Sequence, residues 1–434
     1  MAFWGRKKDF TRIPVAQLQP GMHISLAERW WDHPFLLSEF TLESRQQIQT
    51  IAGIGMSHVL WSRDGSSAGP LEPMEASATV HEEPIHADAL AQERTQRERR
   101  REQSRRATER MREAARNHMH ASSALRDALS KLHAAPRSAV QKSAGVVMEA
   151  AEAFAAEGNV SIVLLDDRVS GTRLHTHAIN VMLLSMMIGR SQRWGVGPLG
   201  ELGLGGLFHD AGLLRIPDTL RMRPESEWTL TERTHIQEHT TLGATMMQGI
   251  PEFPPGAQAV VAMHHEHWDG SGYPVKLAGE KIPLPARYAA VANRYDELCH
   301  PISLIGACSP AEALARMFKI ENAHFDPELL TRFIKLMGIY PPGSLVELSN
   351  GAIGLVTGIN RDQTLRPLVV LWQEGIRSDD APVIDLTNEP ELSISRGLRE
   401  SDLEPEVRDY LNPRLRTAYF YAREDAGSNP APTH

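Results

Sequence analysis

His264-His265-Glu266-His267-Trp268-Asp269-Gly270-Ser271-Gly272-Tyr273-Pro274 is the stretch on which the reading of this chain turns. It joins adjacent imidazoles and a carboxylate, all metal-ligand types, to a loop that two glycines allow to turn tightly with positive φ and that Pro274 stiffens. Working outward, the same chemistry recurs at His177, at the His209-Asp210 pair and at His239. Each lies in or beside a helical segment. Helical apolar periodicity marks Ala139 to Ala156, Ala178 to Arg190, Thr231 to Gln248 and Pro310 to Phe318. Separate helices can therefore point imidazoles into one bundle core, as metal-binding bundles do. A lone His in such a helix is more often an ordinary core or surface residue. The His209-Asp210 pair gains weight from its context, since the apolar run Leu202 to Phe208 delivers it and Gly212 and Pro217 then break the helix. A carboxylate beside an imidazole suits two metals, because Asp bridges them while His fills outer positions.

At 434 residues the chain is too long for one ordinary core. A net charge of −8 gives no overall footprint for nucleic acid, so no DNA partner is expected and any nucleotide site must be locally basic. Two cysteines, Cys299 and Cys308, form neither a disulfide framework nor a CxxC pair, which fits a cytoplasmic location. The most apolar run, Val181 to Ile188, is far short of the roughly 20 residues that span a bilayer, so no membrane insertion is expected.

The fold class expected is mainly α. It comprises a helical bundle with a small N-terminal α+β module, a long charged linker helix and a small C-terminal β appendage. Residues 1–62 form the α+β module, with β-like runs at Met22 to Leu26 and His58 to Trp61 and a helix from Leu42 to Ile54; its histidines, His23, His33 and His58, read as ordinary residues. Residues 63–120 read as a flexible linker (63–88) and a charged helix from Gln92 to Arg116. That helix reads first as a solvated spacer, then as a signalling helix that would favour a homodimer, and last as a basic arm. Residues 121–340 read as helix after helix. Residues 341–420 carry short strands at Gly343 to Gly351, Ala352 to Thr357 and Leu368 to Trp372. Residues 421–434 are expected to be a disordered tail.

The quoted residues resemble a known family. His209-Asp210-Ala-Gly-Leu-Leu-Arg-Ile-Pro217 is similar to the HD-GYP signature HDxGKxxIP, and His264 to Pro274 matches HHExxDGxGYP at every fixed position. His177-Ala-Ile-Asn-Val181, the lead from Leu230-Thr-Glu232 to His239, and Ile282-Pro283 before Arg287 add to the likeness. Val15 to Met22 and Trp31 to Phe35 resemble the small domain of unknown function that often precedes HD-GYP domains. The resemblance implies an all-α phosphohydrolase that uses two divalent ions, iron or manganese, to hydrolyse cyclic di-GMP in bacterial signalling. It implies His177, His209 and Asp210 at one metal, with Asn293 at the family's Asp position. Asp210 would bridge to a second metal held by His239, His264 and His265. By the same likeness His209 and Asp210 would carry the catalytic role, through a metal-activated water attacking phosphorus in line. Arg215, Asp269, Gly272, Tyr273 and Pro274 are the expected substrate contacts, the equal alternative being that the loop only shapes the wall beside the His pair. The same loop is linked in the family to partners with diguanylate cyclase domains.

Two positions depart from the family pattern. Leu213 stands where the family has the lysine after HDxG, and offers no charge to a phosphate. Asn293 stands where the family usually has Asp, so the metal there loses an anionic ligand. Arg173, one turn before His177, occupies the place of the Glu found in trinuclear members, so two metals are expected rather than three. These changes predict a slow phosphodiesterase, or a sensor that binds nucleotide or partner without turnover.

Overall fold

The computed structural model describes residues 9–26, 39–53, 56–71, 87–156, 160–166, 173–301, 306–360, 363–412 and 416–423. Trp31 to Phe35, most of the expected linker and the expected tail from 424 lie outside these residues. The chain divides into two compact units, residues 1–106 and 107–434, each with its own core.

In the first unit β1 (Phe10–Pro14), β2 (His23–Ser25), β3 (Glu39–Thr41) and β4 (His58–Ser62) form an antiparallel sheet in the order β1-β4-β2-β3, with α1 (Arg45–Gly53) inserted before β4. Ile13, Val15, Met22, Ile24, Leu42, Ile51 and Val59 make its core. The two β-like runs and the helix expected here are present. His23 and His58 are taken up by hydroxyl groups, Thr41 and Ser57 respectively, at 3.0 Å each.

The charged helix is longer than expected. It runs as α2 (Ala87–Ser130), 44 residues without Gly or Pro, and exposed pairs such as Glu102 with Arg105 and Arg106 line its first half. Its second half is not a solvated spacer. Ala107, Met111, Ala114, Leu125, Ala128 and Leu129 are buried in the core of the second unit. The apolar residues thin out before Met111, which is why the sequence reads as spacer there.

The second unit continues with α3 (Pro136–Ala155), β5 (Val160–Asp166), α4 (Arg173–Ser191), α5 (Val196–Phe208), α6 (Asp218–Arg221), α7 (Leu230–Gln237), α8 (His239–Met247) and α9 (Pro255–Met263). It then runs through α10 (Leu284–Cys299), α11 (Pro310–Lys319) and α12 (Pro327–Met337). Capping boxes start α7 (Thr229 with Glu232) and α11 (Ser309 with Glu312). The segment read as one helix from Thr231 to Gln248 breaks at Glu238, beside His239, whose ring takes the Ile236 carbonyl.

The C-terminal strands are β6 (Leu345–Leu348), β7 (Ile353–Gly358), β8 (Leu368–Leu371), β9 (Val383–Asp385) and β10 (Ile394–Leu398), then α13 (Pro405–Leu411) and β11 (Arg416–Arg423). They form the expected C-terminal β part, and one strand from the helical region joins its sheet. β5, from the region read as purely helical, pairs with β7 and along its whole length with β11, giving a seven-stranded sheet in the order β10-β6-β7-β5-β11, with β8 and β9 running off β7. Seven residues, Val-Ser-Ile-Val-Leu-Leu-Asp, carry no alternation that tells a fully buried strand from a short helix. Among the described residues no helix is long and apolar enough to cross a membrane.

Candidate metal centre

Three of the expected ligands sit at helix ends. His209 caps the C-terminus of α5, His264 that of α9, and His239 follows α7. A helix end leaves its last carbonyls without intrahelical donors. Here each ring turns back to serve one: Nδ1–H of His209 donates to Gly206 O at 2.7 Å, that of His239 to Ile236 O at 2.7 Å, and that of His264 to Val260 O at 3.1 Å. A carbonyl only accepts, so these bonds fix the tautomer and leave Nε2 as the lone-pair atom. His177, within α4, uses a carboxylate instead, its Nδ1–H donating to Asp296 Oδ2 at 2.7 Å.

Asp210 lies between two imidazole pairs. Its Oδ2 is 3.4 Å from His209 Nε2 and 3.7 Å from His177 Nε2, while its Oδ1 is 3.4 Å from His239 Nε2 and 3.7 Å from His264 Nε2. Two sets of ligand atoms result, His177, His209 and Asp210 on one side and Asp210, His239, His264 and His265 on the other, each drawn together within 4.8 Å. Within each side two Nε2 atoms face each other at 3.2 Å, His177 with His209 and His239 with His264.

Burial is the largest influence on His177, Asp210, His239, His264 and His265. It lowers His239, and together with the neighbouring imidazoles it holds His264 and His265 well below the ordinary imidazole value. With both rings neutral, the Nε2 atoms of His239 and His264 present lone pair to lone pair, a contact that a cation relieves. The donor set therefore fits a divalent metal. His177 differs: burial lowers it, but the hydrogen bond and charge of Asp296 outweigh burial and raise it to about 9. Burial would raise Asp210, yet the charge and hydrogen bond of His209, with His239 and His177 behind, hold it well below the usual carboxylate range.

Asp296 is the hub behind His177. Fully buried, it also accepts from Asn180 Nδ2 at 2.7 Å and from the His300 ring at 2.8 Å. Carboxylate support of this kind orients a ligand imidazole and raises its basicity. One turn earlier on α10, Asn293 is buried, with Oδ1 lacking a hydrogen-bond partner and Nδ2 donating to Glu297 Oε1 at 3.0 Å. Sequence reading passed over Glu297, although its spacing of four from Asn293 was visible.

The expected substrate contacts divide. Tyr273 stacks on His265, with ring centroids 4.7 Å apart, and so forms part of the wall of the second side. Asp269 is exposed and turned on its own loop, accepting from the backbone N–H and hydroxyl of Ser271. Gly270 has the expected positive φ, at 80°, but Gly272 does not. Gly272 is needed for space, since a Cβ there would run into the backbone N of His267 and the carbonyl of His265. Pro274 is exposed, and the backbone beyond it is pinned by buried Glu266, which accepts from Val275, Lys276 and Leu277 N–H at 2.6, 3.1 and 2.8 Å. Arg215 is exposed and makes no hydrogen bond or ion pair with the cluster among the described residues. Leu213 is buried with Ile216, Leu220 and Ile236, against Leu174 and Trp228.

Residues 160–329 match the HD domain, residues 10–142 a domain of unknown function (DUF3391), and residues 345–405 a KOW domain associated with HD domain. The chain is 29% identical over 363 residues to a cyclic di-GMP phosphodiesterase of Pseudomonas aeruginosa, covering 83% of this chain and 84% of that protein. It is 30% identical over 128 residues to a 3'3'-cGAMP-specific phosphodiesterase of Vibrio cholerae, covering 28% of this chain and 24% of that protein. Among solved structures it is similar to an HDG"Y"P protein from Bdellovibrio bacteriovorus, with a TM-score of 0.41, 14% identity, and coverage of 75% of this chain and 98% of that one. The His209-Asp210 pair and the His264 to Pro274 string both fall inside the matched HD region, so the chain combines an HD domain with an N-terminal DUF3391 domain.

Proposed function

We propose that the chain is a metal-dependent phosphodiesterase that opens cyclic di-GMP in cytoplasmic second-messenger signalling, at a reduced rate. The observation that carries this reading is the split of Asp210, one carboxylate oxygen facing each imidazole pair. His177 and His209 would hold one cation and His239, His264 and His265 the other, with Asn293 as a neutral oxygen donor on the first side. Bound there, two divalent cations supply the lowered pKa of a water and the charge that stabilises the phosphoryl oxygens. The protein's own residues do the rest. The helix-end carbonyls and Asp296 lock the imidazole orientations, and Asp210 stays ionised to serve both sides. Tyr273 walls the second side against solvent.

The reduced rate rests on Leu213. A lysine at that position would offer its charge to a phosphate, whereas Leu213 is packed into an apolar cluster. Losing such a contact costs about 2–4 kcal/mol of transition-state stabilisation. The same observation favours a second reading, a sensor or adaptor that binds nucleotide without turnover and presents the exposed part of Asp269 to Pro274 to a diguanylate cyclase-type partner. The test is anaerobic loading with iron or manganese followed by cyclic di-GMP, with 3'3'-cGAMP in parallel. Linear dinucleotide or GMP from the former supports the enzyme reading; tight binding without product from either nucleotide overturns it for the sensor. Leu213→Lys with Asn293→Asp should raise the rate by about tenfold or more. An unchanged rate in the double variant would show that these two positions do not limit turnover.

A further inference from the structure

The Asn293 position departs from the family's carboxylate, and the helix that carries it places another carboxylate one turn on. Asn293 Nδ2 donates to Glu297 Oε1 at 3.0 Å. A carboxylate only accepts, so the amide nitrogen must face Glu297 and Oδ1 must face away. Asn293 is 3% exposed, and that Oδ1 has no hydrogen-bond partner. A desolvated carbonyl oxygen without a donor is an unmet requirement, which a cation can meet.

Glu297 is itself fixed. Its Oε2 accepts from Arg294 Nη1 at 3.1 Å, and Arg294 is held from behind by a two-bond fork to Glu321, 2.8 Å on each arm. The cation beside Glu297 is thus already matched by a second glutamate. The charge of Glu297 is felt at His177, His239 and Tyr273, groups that lie on both sides of Asp210. Its carboxylate lies outside the two sets of ligand atoms, so its influence is exerted through Asn293 and through the field.

We propose that Glu297 is a positioning residue of the metal centre: it holds the Asn293 amide so that Oδ1 is the atom left to ligate a cation, and it supplies from one turn away the negative charge that Asn293 lacks. The inference rests on the metal-centre reading above. It makes Asn293 and Glu297 a divided carboxylate, the donor oxygen on one residue and the charge on the other.

Manganese affinity and stoichiometry of the full chain, measured by competition with a chromogenic chelator and by elemental analysis, test this without recourse to turnover. Glu297→Gln keeps an oxygen that accepts from Asn293 and removes only the charge; it should weaken manganese binding roughly 10- to 100-fold. Glu297→Ala removes the hold on the amide as well and should weaken binding further. Asn293→Asp placed in the Glu297→Gln background should recover most of the loss, which also shows that this background folds. The same change in the parent should gain less, because two carboxylates one turn apart repel. Parent-like affinity in Glu297→Gln, or equal effects of Asn293→Asp in both backgrounds, overturns the inference while leaving the metal centre standing. A parent chain that binds no manganese or iron overturns the metal-centre reading and this inference together.

Discussion

On one side of Asp210 three imidazoles, those of His239, His264 and His265, are held towards neutrality, and two of them are oriented by backbone carbonyls at helix ends. On the other side His177 leans on a buried carboxylate, Asp296, and feels the charge of Glu297, which accepts from Asn293. The first side is specified by main-chain geometry, which any sequence with the same helix ends would reproduce. On the second side His177 is specified by a chain of polar side chains in which each member needs the next, while its neighbour His209 is itself held by the Gly206 carbonyl. The difference teaches where substitutions can accumulate: the backbone-held side keeps all three of His239, His264 and His265, whereas Asn293 lies on α10 beside the side-chain network of Asp296 and Glu297.

The largest expected effect comes from removing what the two sides share. Asp210→Asn should lower cyclic dinucleotide turnover by about 10³-fold and should reduce metal bound on both sides by elemental analysis; a variant that keeps a full metal complement would show that the sides are independent. Asp296→Asn should separate them. It leaves the His239 side untouched and takes the anionic partner from His177, so one class of manganese site should weaken by roughly 10- to 100-fold and the other stay as it was. Equal weakening of both classes would erase the distinction.

The smallest effect on the metals is expected from Glu321→Gln, in the ion-pair frame behind α10. Burial would raise the Glu321 carboxyl, but Arg294 and Arg316 bring it down to about 2. A carboxylate lowered on folding contributes stability above its unfolded value, and that contribution is lost as pH falls through the folded one. The substitution should therefore cost about 2 kcal/mol near neutral pH, less than for a wholly buried pair because Arg316 is half exposed. The gap from the parent should close in urea titrations between about pH 4.5 and 2. A gap that stays constant with pH would mean that the pairing is not what stabilises this frame.

Much of the site was legible because ligand types have few other uses at that density. His177, His209, Asp210, His239, His264 and His265 were all named from the residues and a family likeness, and the structure brings all six together. What escaped notice was relational. Glu266 looks like part of a metal motif but spends its oxygens on three backbone N–H groups. Leu213 was legible as a missing lysine, though not as a member of an apolar cluster drawn from residues 174 to 236. β5 was invisible because its partners, β7 and β11, lie some two hundred residues or more away and its own pattern shows no clear alternation. Helix periodicity is a local signal, and strand pairing is not.

The pairing of β5 with β11 has a consequence in time. Tyr419 N–H on β11 donates to Asn180 Oδ1 at 2.9 Å, and Asn180 Nδ2 donates to the Asp296 carboxylate that holds His177. A ribosome delivers His177 and Asp210 long before it delivers Tyr419. During synthesis the backbone-held side can assemble as soon as α9 is made, whereas the Asp296 side waits for a strand that arrives more than a hundred residues later. An emerging chain would thus offer a half-built centre first, and the last strand would act as the latch that completes it.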